Sequence, residues 1–230
     1  MPDAIDRTAA LFAAQAEKIR QAIIIELAGV YTKGGNPAVF AEQMLKANFS
    51  EHIIRDLGFG ADMDSLFAEY DKIVAGVAKT FGNVSAVTVG QLKTLDSLFF
   101  MEHVRDVSEA LTRQMVYAAY TGITEKALID NLLNATKKLS AAQIGSLTNT
   151  ALRTFGRSTF AATAQELAPA DAMFLFNGAG LIPTSRPFCV ENVGKIFTIE
   201  QAMHLVNDQG GSAWWEGGGW GCRHPWSLVT

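Results

Sequence analysis

Apolar residues recur at helical spacing through most of the chain, broken by short stop signals. From Ala4 to about Tyr31 a stripe of Leu11, Ile19, Ile23, Leu27 and Val30 predicts one long helix, with Arg7, Glu17, Lys18 and Arg20 off it. Lys33-Gly34-Gly35-Asn36-Pro37 reads as a stop followed by a start, Asn36 capping and Pro37 opening the next helix. Ala38 to Asn48 predicts that second helix, and Ser50 can cap a third piece through Arg55. After Gly58-Phe59-Gly60 the period resumes from Asp62 to Phe81, with Leu66, Tyr70, Ile73, Val74 and Val77 inward. Gly82 to Thr88 reads as a turn, with an extended option from Val84 to Val89. The longest periodic segment runs from Val89 to Tyr120 through Leu92, Leu95, Phe99, Val104, Val107, Leu111, Met115 and Ala118, and Gly122 ends it. Thr124 to Lys138 and Ser140 to Leu167 complete six or seven helices, with Thr124 and Ser140 as caps and Pro169 as the stop.

The period changes after Pro169. Ala172 to Phe176 is a short apolar run ending in the turn signal Asn177-Gly178, which predicts a strand. Ile182 to Pro187 reads as a rigid loop, Thr198 as the cap of a short helix from Ile199 to Val206, and Asn207 to Gly221 as a Gly- and Trp-rich loop. Trp226 to Val229 is expected to pair with Met173 to Phe176. The fold expected is therefore mainly α: an elongated helical body over residues 1–168 and a small α+β module over residues 169–230.

Both cysteines fall in that module, within Ser185-Arg186-Pro187-Phe188-Cys189 and Gly221-Cys222-Arg223-His224-Pro225-Trp226. Together with Arg153 to Thr159 and the turn Gly194 to Thr198, these segments form an ordered set that resembles the phage head morphogenesis family, the Mu F-like minor head proteins. The resemblance spans Arg153 to Thr230. It departs from the family's pattern before the first cysteine, where Gly180 to Pro187 carries no acidic residue. The resemblance implies a low-copy virion protein of the tailed-phage head. Such a protein is made in the host cytoplasm, lies near the portal, and acts in head assembly and DNA retention or delivery. The partners it implies are the portal, the major capsid protein and packaged DNA. A capsid decoration or inner-core role is compatible with the same residues.

Composition narrows the classes. With 230 residues, 49% of them hydrophobic and 18% charged, the chain can bury a sizeable core. A formal net charge of −4 argues against a general nucleic-acid binder, though not against a local basic patch. Apolar runs are interrupted by charge before the roughly 20 residues a membrane span needs, so no membrane partner is expected. Met1-Pro2-Asp3-Ala4-Ile5-Asp6 lacks the basic start of a secretory leader, so folding in a reducing compartment is expected.

Cys189, Cys222 and His224, with His204 available, have the ligand types zinc prefers, although no Cys-x-x-Cys pair is present. A Cys189–Cys222 disulfide and a pair of buried free thiols are the other two readings. Arg186 and Arg223 can contact DNA phosphates or an acidic partner, or can tie loop carbonyls together. Arg153 and Arg157, one turn apart on one helix, are expected on a solvated face, with contact to acidic groups of the module or of a partner as the other reading. Trp214 and Trp215 are expected at a contact surface, and Trp220 and Trp226 inside the module. An enzyme is not expected, because no Gly-x-Ser-x-Gly, Walker loop or His-Glu-x-x-His occurs. The alternative from that class is a metal-dependent nucleic-acid enzyme or toxin-like module, which would have to draw on His204, Asn207, Asp208 and His224.

Overall fold

A computed structural model describes residues 4–33, 36–178 and 180–229. Among these residues the chain is mainly α, with a small α+β module at its C-terminal end. Seven α-helices precede Pro169: α1 (Ala4–Thr32), α2 (Pro37–Lys46), α3 (Phe49–Glu51), α4 (Phe59–Phe81), α5 (Ala86–Thr121), α6 (Glu125–Ala135) and α7 (Ala141–Leu167). The module contains β1 (Met173–Phe176), α8 (Pro187–Asn192), β2 (Ile196–Thr198), α9 (Ile199–His204), α10 (Ala213–Glu216) and β3 (Trp226–Val229). Gly34 and Gly35 of the first stop signal lie outside the described residues. So do Met1, Pro2 and Asp3, which open the chain.

The caps form where the side chains allow them. Asn36 accepts from the Ala38 N–H with Pro37 at the first helical position, and Thr124 accepts from the Ala127 N–H. Ser50 does not open the third helix. Asn48 does so, accepting from the Glu51 N–H, and the chain then continues as a π-helical turn, His52–Asp56. Gly58, at φ 84°, ends that turn, and α4 begins immediately at Phe59. The extended option from Val84 to Val89 is not taken, since α5 is helical from Ala86.

The chain divides into two compact units. The first comprises Met1–Leu66 and Ser97–Thr148. Its core gathers Phe12, Phe59 and Phe100, with the Phe12 ring 5.5 Å from Phe59 and 5.6 Å from Phe100. Val104, Val107, Leu111 and Met115 continue it along α5, all fully buried. Each such side chain contributes about 1.5–3 kcal/mol on leaving water. Polar ties close the helix ends. The Tyr31 hydroxyl donates to the Ile123 carbonyl at 2.8 Å, and Glu17 accepts the Ala141 N–H at the start of α7. Burial raises the Glu17 carboxyl, but hydrogen bonds from Gln21, the Ala141 N–H and Arg20 outweigh it and hold the group below the usual range.

The second unit comprises Phe67–Asp96 and Asn149–Thr230. Residues 169–229 thus share a compact unit with parts of α4, α5 and α7. Its three-stranded sheet is antiparallel in the order β2-β1-β3, with β1 central. β3 pairs as expected: Met173 faces Val229 and Phe176 faces Trp226. One core joins Phe160, Ala161 and Ala164 of α7 to Phe174, Phe176, Phe188, Trp214 and Trp226. Trp226 fixes its ring by donating Nε1–H to the Ala213 carbonyl at 3.1 Å.

Not every residue of the apolar stripes is inward. Leu11 is 71% exposed and Leu95 62% exposed, whereas Phe100, one position off the expected stripe, is fully buried. On α5 the buried stripe is Phe100, Val104, Val107, Leu111, Met115 and Ala118, so the expected stripe holds from Val104 onward while Leu95 and Phe99 fall off it.

Candidate functional site

Three segments converge on the two cysteines. Cys189 lies on α8, whose start is set by Pro187 at the first helical position. Asp208 reinforces that start from another loop, accepting the Phe188 N–H at 2.9 Å. Cys222 lies at the end of the glycine run, its N–H bonded to the Gly219 carbonyl at 2.9 Å. His224 follows in the lead-in to β3, its ring 5.8 Å from that of Phe176.

The resulting group is buried and compact. The two sulfurs are 3.8 Å apart and both cysteines are free thiols. His224 Nδ1 lies 3.7 Å from Cys222 Sγ, and the His224 backbone N–H points at the same sulfur at 3.5 Å. All three side chains offer a ligand atom within 4.8 Å of the others. Burial, with the adjacent Cys222 sulfur, pushes the Cys189 thiol up to about 12. His204 does not join them. It is exposed on α9, and its Nδ1 lies 2.7 Å from the Glu200 carbonyl of its own helix.

The glycine run permits this closeness. A Cβ on Gly218 would stand 2.3 Å from Cys189 Sγ, and one on Gly217, which also needs φ 61°, would stand 3.0 Å from Cys222 Sγ. Asn207 holds the loop in shape: its Nδ2 donates to the Gly217 carbonyl, and its Oδ1 accepts from the Gln209 and Gly211 N–H groups.

The arginines surround the group. Arg157 is not on a solvated face. It is 3% exposed and donates from Nη1 to the Cys222 carbonyl at 2.9 Å and from Nη2 to Thr154 Oγ1. Burial lowers its pKa from the ordinary value. Arg153, one turn earlier, is likewise buried and donates to Asn149 Oδ1 at 2.7 Å. Arg186 ties a loop carbonyl, donating to that of Gly218 at 2.9 Å. Arg223 is half-buried. A cleft of about 140 Å³ reaches the two cysteines and His224, and Ser185, Arg186, Arg223 and Trp220 contribute to its walls.

The tryptophans are distributed differently from the expectation. Trp214 is fully buried in the core of the unit, so it cannot form a contact surface. Trp215 is half-buried, Trp226 is inside as expected, and Trp220 is 47% exposed at the cleft. The reason is α10, which turns the loop into a short helix and aims Trp214 inward.

Asn207 and Asp208 are engaged with backbone N–H groups, and His204 and His224 stand on separate features. Arg157 and the pair Gly217-Gly218 are what sequence reasoning missed as parts of the site. The signal present was the glycine run itself, since three consecutive glycines beside a cysteine mark a close approach of backbone to side chain. Comparison with known protein families, with curated proteins and with solved structures returned no match.

Proposed function

We propose that this chain is a minor structural component of a tailed-phage head, associated with the portal and acting in head assembly and in DNA retention or delivery. The observation that carries this reading is the convergence of the motif set through which the sequence resembles the Mu F-like minor head proteins. Segments 153–159, 185–189, 194–198 and 217–226, far apart in the chain, are parts of one unit. Arg157 holds the Cys222 carbonyl, Arg186 holds that of Gly218, and residues 196–198 form an edge of the sheet on β1. Ordered motifs that serve one folded unit are a more specific likeness than the same motifs scattered over unrelated loops.

The helices before the sheet are the natural surface for the portal or capsid partner. Leu95 and Leu98 are each 62% exposed on α5, and no helix among the described residues is long and apolar enough to cross a membrane. The test is to quantify the chain in purified particles against the portal and major capsid proteins. A copy number at or below that of the portal is expected. Copies comparable to the major capsid protein, or absence from the particle, would overturn the reading.

A further inference from the structure

We propose that Cys189, Cys222 and His224 bind one zinc ion through two thiolates and an imidazole, with the fourth position open to the cleft beside Arg186 and Trp220. This goes beyond the virion reading and does not depend on it. Four-coordinate zinc with bonds of about 2.3 Å to sulfur requires neighbouring sulfurs about 3.8 Å apart, the edge of the tetrahedron. The sulfurs of Cys189 and Cys222 are 3.8 Å apart, and His224 Nδ1 is 3.7 Å from Cys222 Sγ. The ligands come from three separate features: α8, the end of the glycine loop and the lead-in to β3. One ion therefore ties three parts of a small module whose sheet has only three strands.

The surroundings suit bound thiolates better than idle thiols. Two buried sulfurs acting only as small apolar side chains need no particular arrangement of polar groups around them. Here the His224 N–H points at Cys222 Sγ at 3.5 Å, a donor suited to a metal-bound thiolate. Arg157 and Arg186 fix the Cys222 and Gly218 carbonyls, which orients the backbone around the ligands. Gly217 and Gly218 lie so close over the sulfurs that no side chain fits there. The imidazole is placed beside a sulfur by the Cys222-Arg223-His224 spacing, and the cleft of about 140 Å³ leaves room at the fourth corner for water or a small ligand. Binding is balanced by proton release: one Zn²⁺ replaces the two thiol protons, which pass to solvent, and the imidazole binds as the neutral base.

The experiment uses the full-length chain, purified under reducing conditions and stripped with a chelator, then titrated with Co²⁺ and with Zn²⁺. The expected result is saturation at about one ion per chain, as a single tetrahedral site requires. It is accompanied by a thiolate-to-cobalt charge-transfer band, visible bands of tetrahedral intensity, and their displacement by Zn²⁺. His204→Ala should leave the spectrum unchanged. Cys189→Ser and His224→Ala should weaken binding by more than roughly 100-fold, above the loss typical of second-shell changes. Because those variants can fail to fold, the decisive readout is the wild-type cobalt spectrum, with far-ultraviolet circular dichroism reporting the fold of each variant. No thiolate band in the reduced, folded wild type overturns the proposal. So does a native chain with no zinc and both thiols joined in a disulfide, or full binding retained in a folded His224→Ala chain.

Discussion

Asp96 accepts the Tyr70 hydroxyl at 2.8 Å inside the second unit. Burial pushes the Asp96 carboxyl up to about 6, although the Tyr70 hydrogen bond pulls it down, and burial also raises Tyr70. A carboxyl whose folded pKa exceeds its unfolded value of about 3.9 favours the folded state fully at pH below 3.9, and that contribution is lost as pH rises through about 6. Asp96→Asn should therefore remove a pH dependence on the order of 1–3 kcal/mol between about pH 4 and 7. Denaturant unfolding of wild type and variant at both ends of that window checks this. A stability difference between them that stays constant with pH would refute it. None of this was legible in the sequence, because Asp96 and Tyr70 lie on different helices and only packing sets their burial. Asn36 and Thr124 were legible, since a cap acts on backbone two or three residues away.

Among the elements, α9 shows how far local chemistry reaches. Thr198 accepts from the Gln201 N–H while the Gln201 side chain accepts from the Thr198 N–H, a complete capping box on a six-residue helix. Thr198→Ala should cost about 1 kcal/mol, read as a lower denaturant midpoint with an unchanged slope. The long helices were readable from their period, and β1 and β3 from their apolar runs and turn signals. By contrast, β2 has three residues whose pairing with β1 is imposed by the partner strand, and α8 and α10 have six and four residues. Segments so short carry no period to read. The π-helical turn at His52–Asp56 is hidden for a different reason. Its His52 bonds to Asp56 and Glu26, and Glu26 lies on α1, far away in sequence. Burial lowers the His52 pKa, but these two carboxylates outweigh it and leave it raised.

For the whole molecule, the apolar residues left in solvent bear on the assembly reading. Replacing Leu95 and Leu98 together by serine should leave the circular dichroism spectrum and unfolding midpoint nearly unchanged, because both side chains are exposed. Incorporation into particles should fall several-fold when measured against the portal protein. Undiminished incorporation would remove this face of α5 from the partner surface. The residues proposed to bind zinc were legible as types, Cys189, Cys222 and His224 with His204 available, and the fold is what separates His204 from the group. The two compact units also interleave along the chain, because their divisions fall within α4, α5 and α7. Translation therefore delivers Tyr70 and Val77 long before their partners Phe155, Phe160 and Trp226 exist. Those apolar faces must wait on the ribosome, exposed to chaperones and proteases, until the segment containing β3 emerges. A synthesis halted anywhere before Trp226 thus yields a product with no closed second core. Closure of the second core therefore waits on β3, whatever has folded before it.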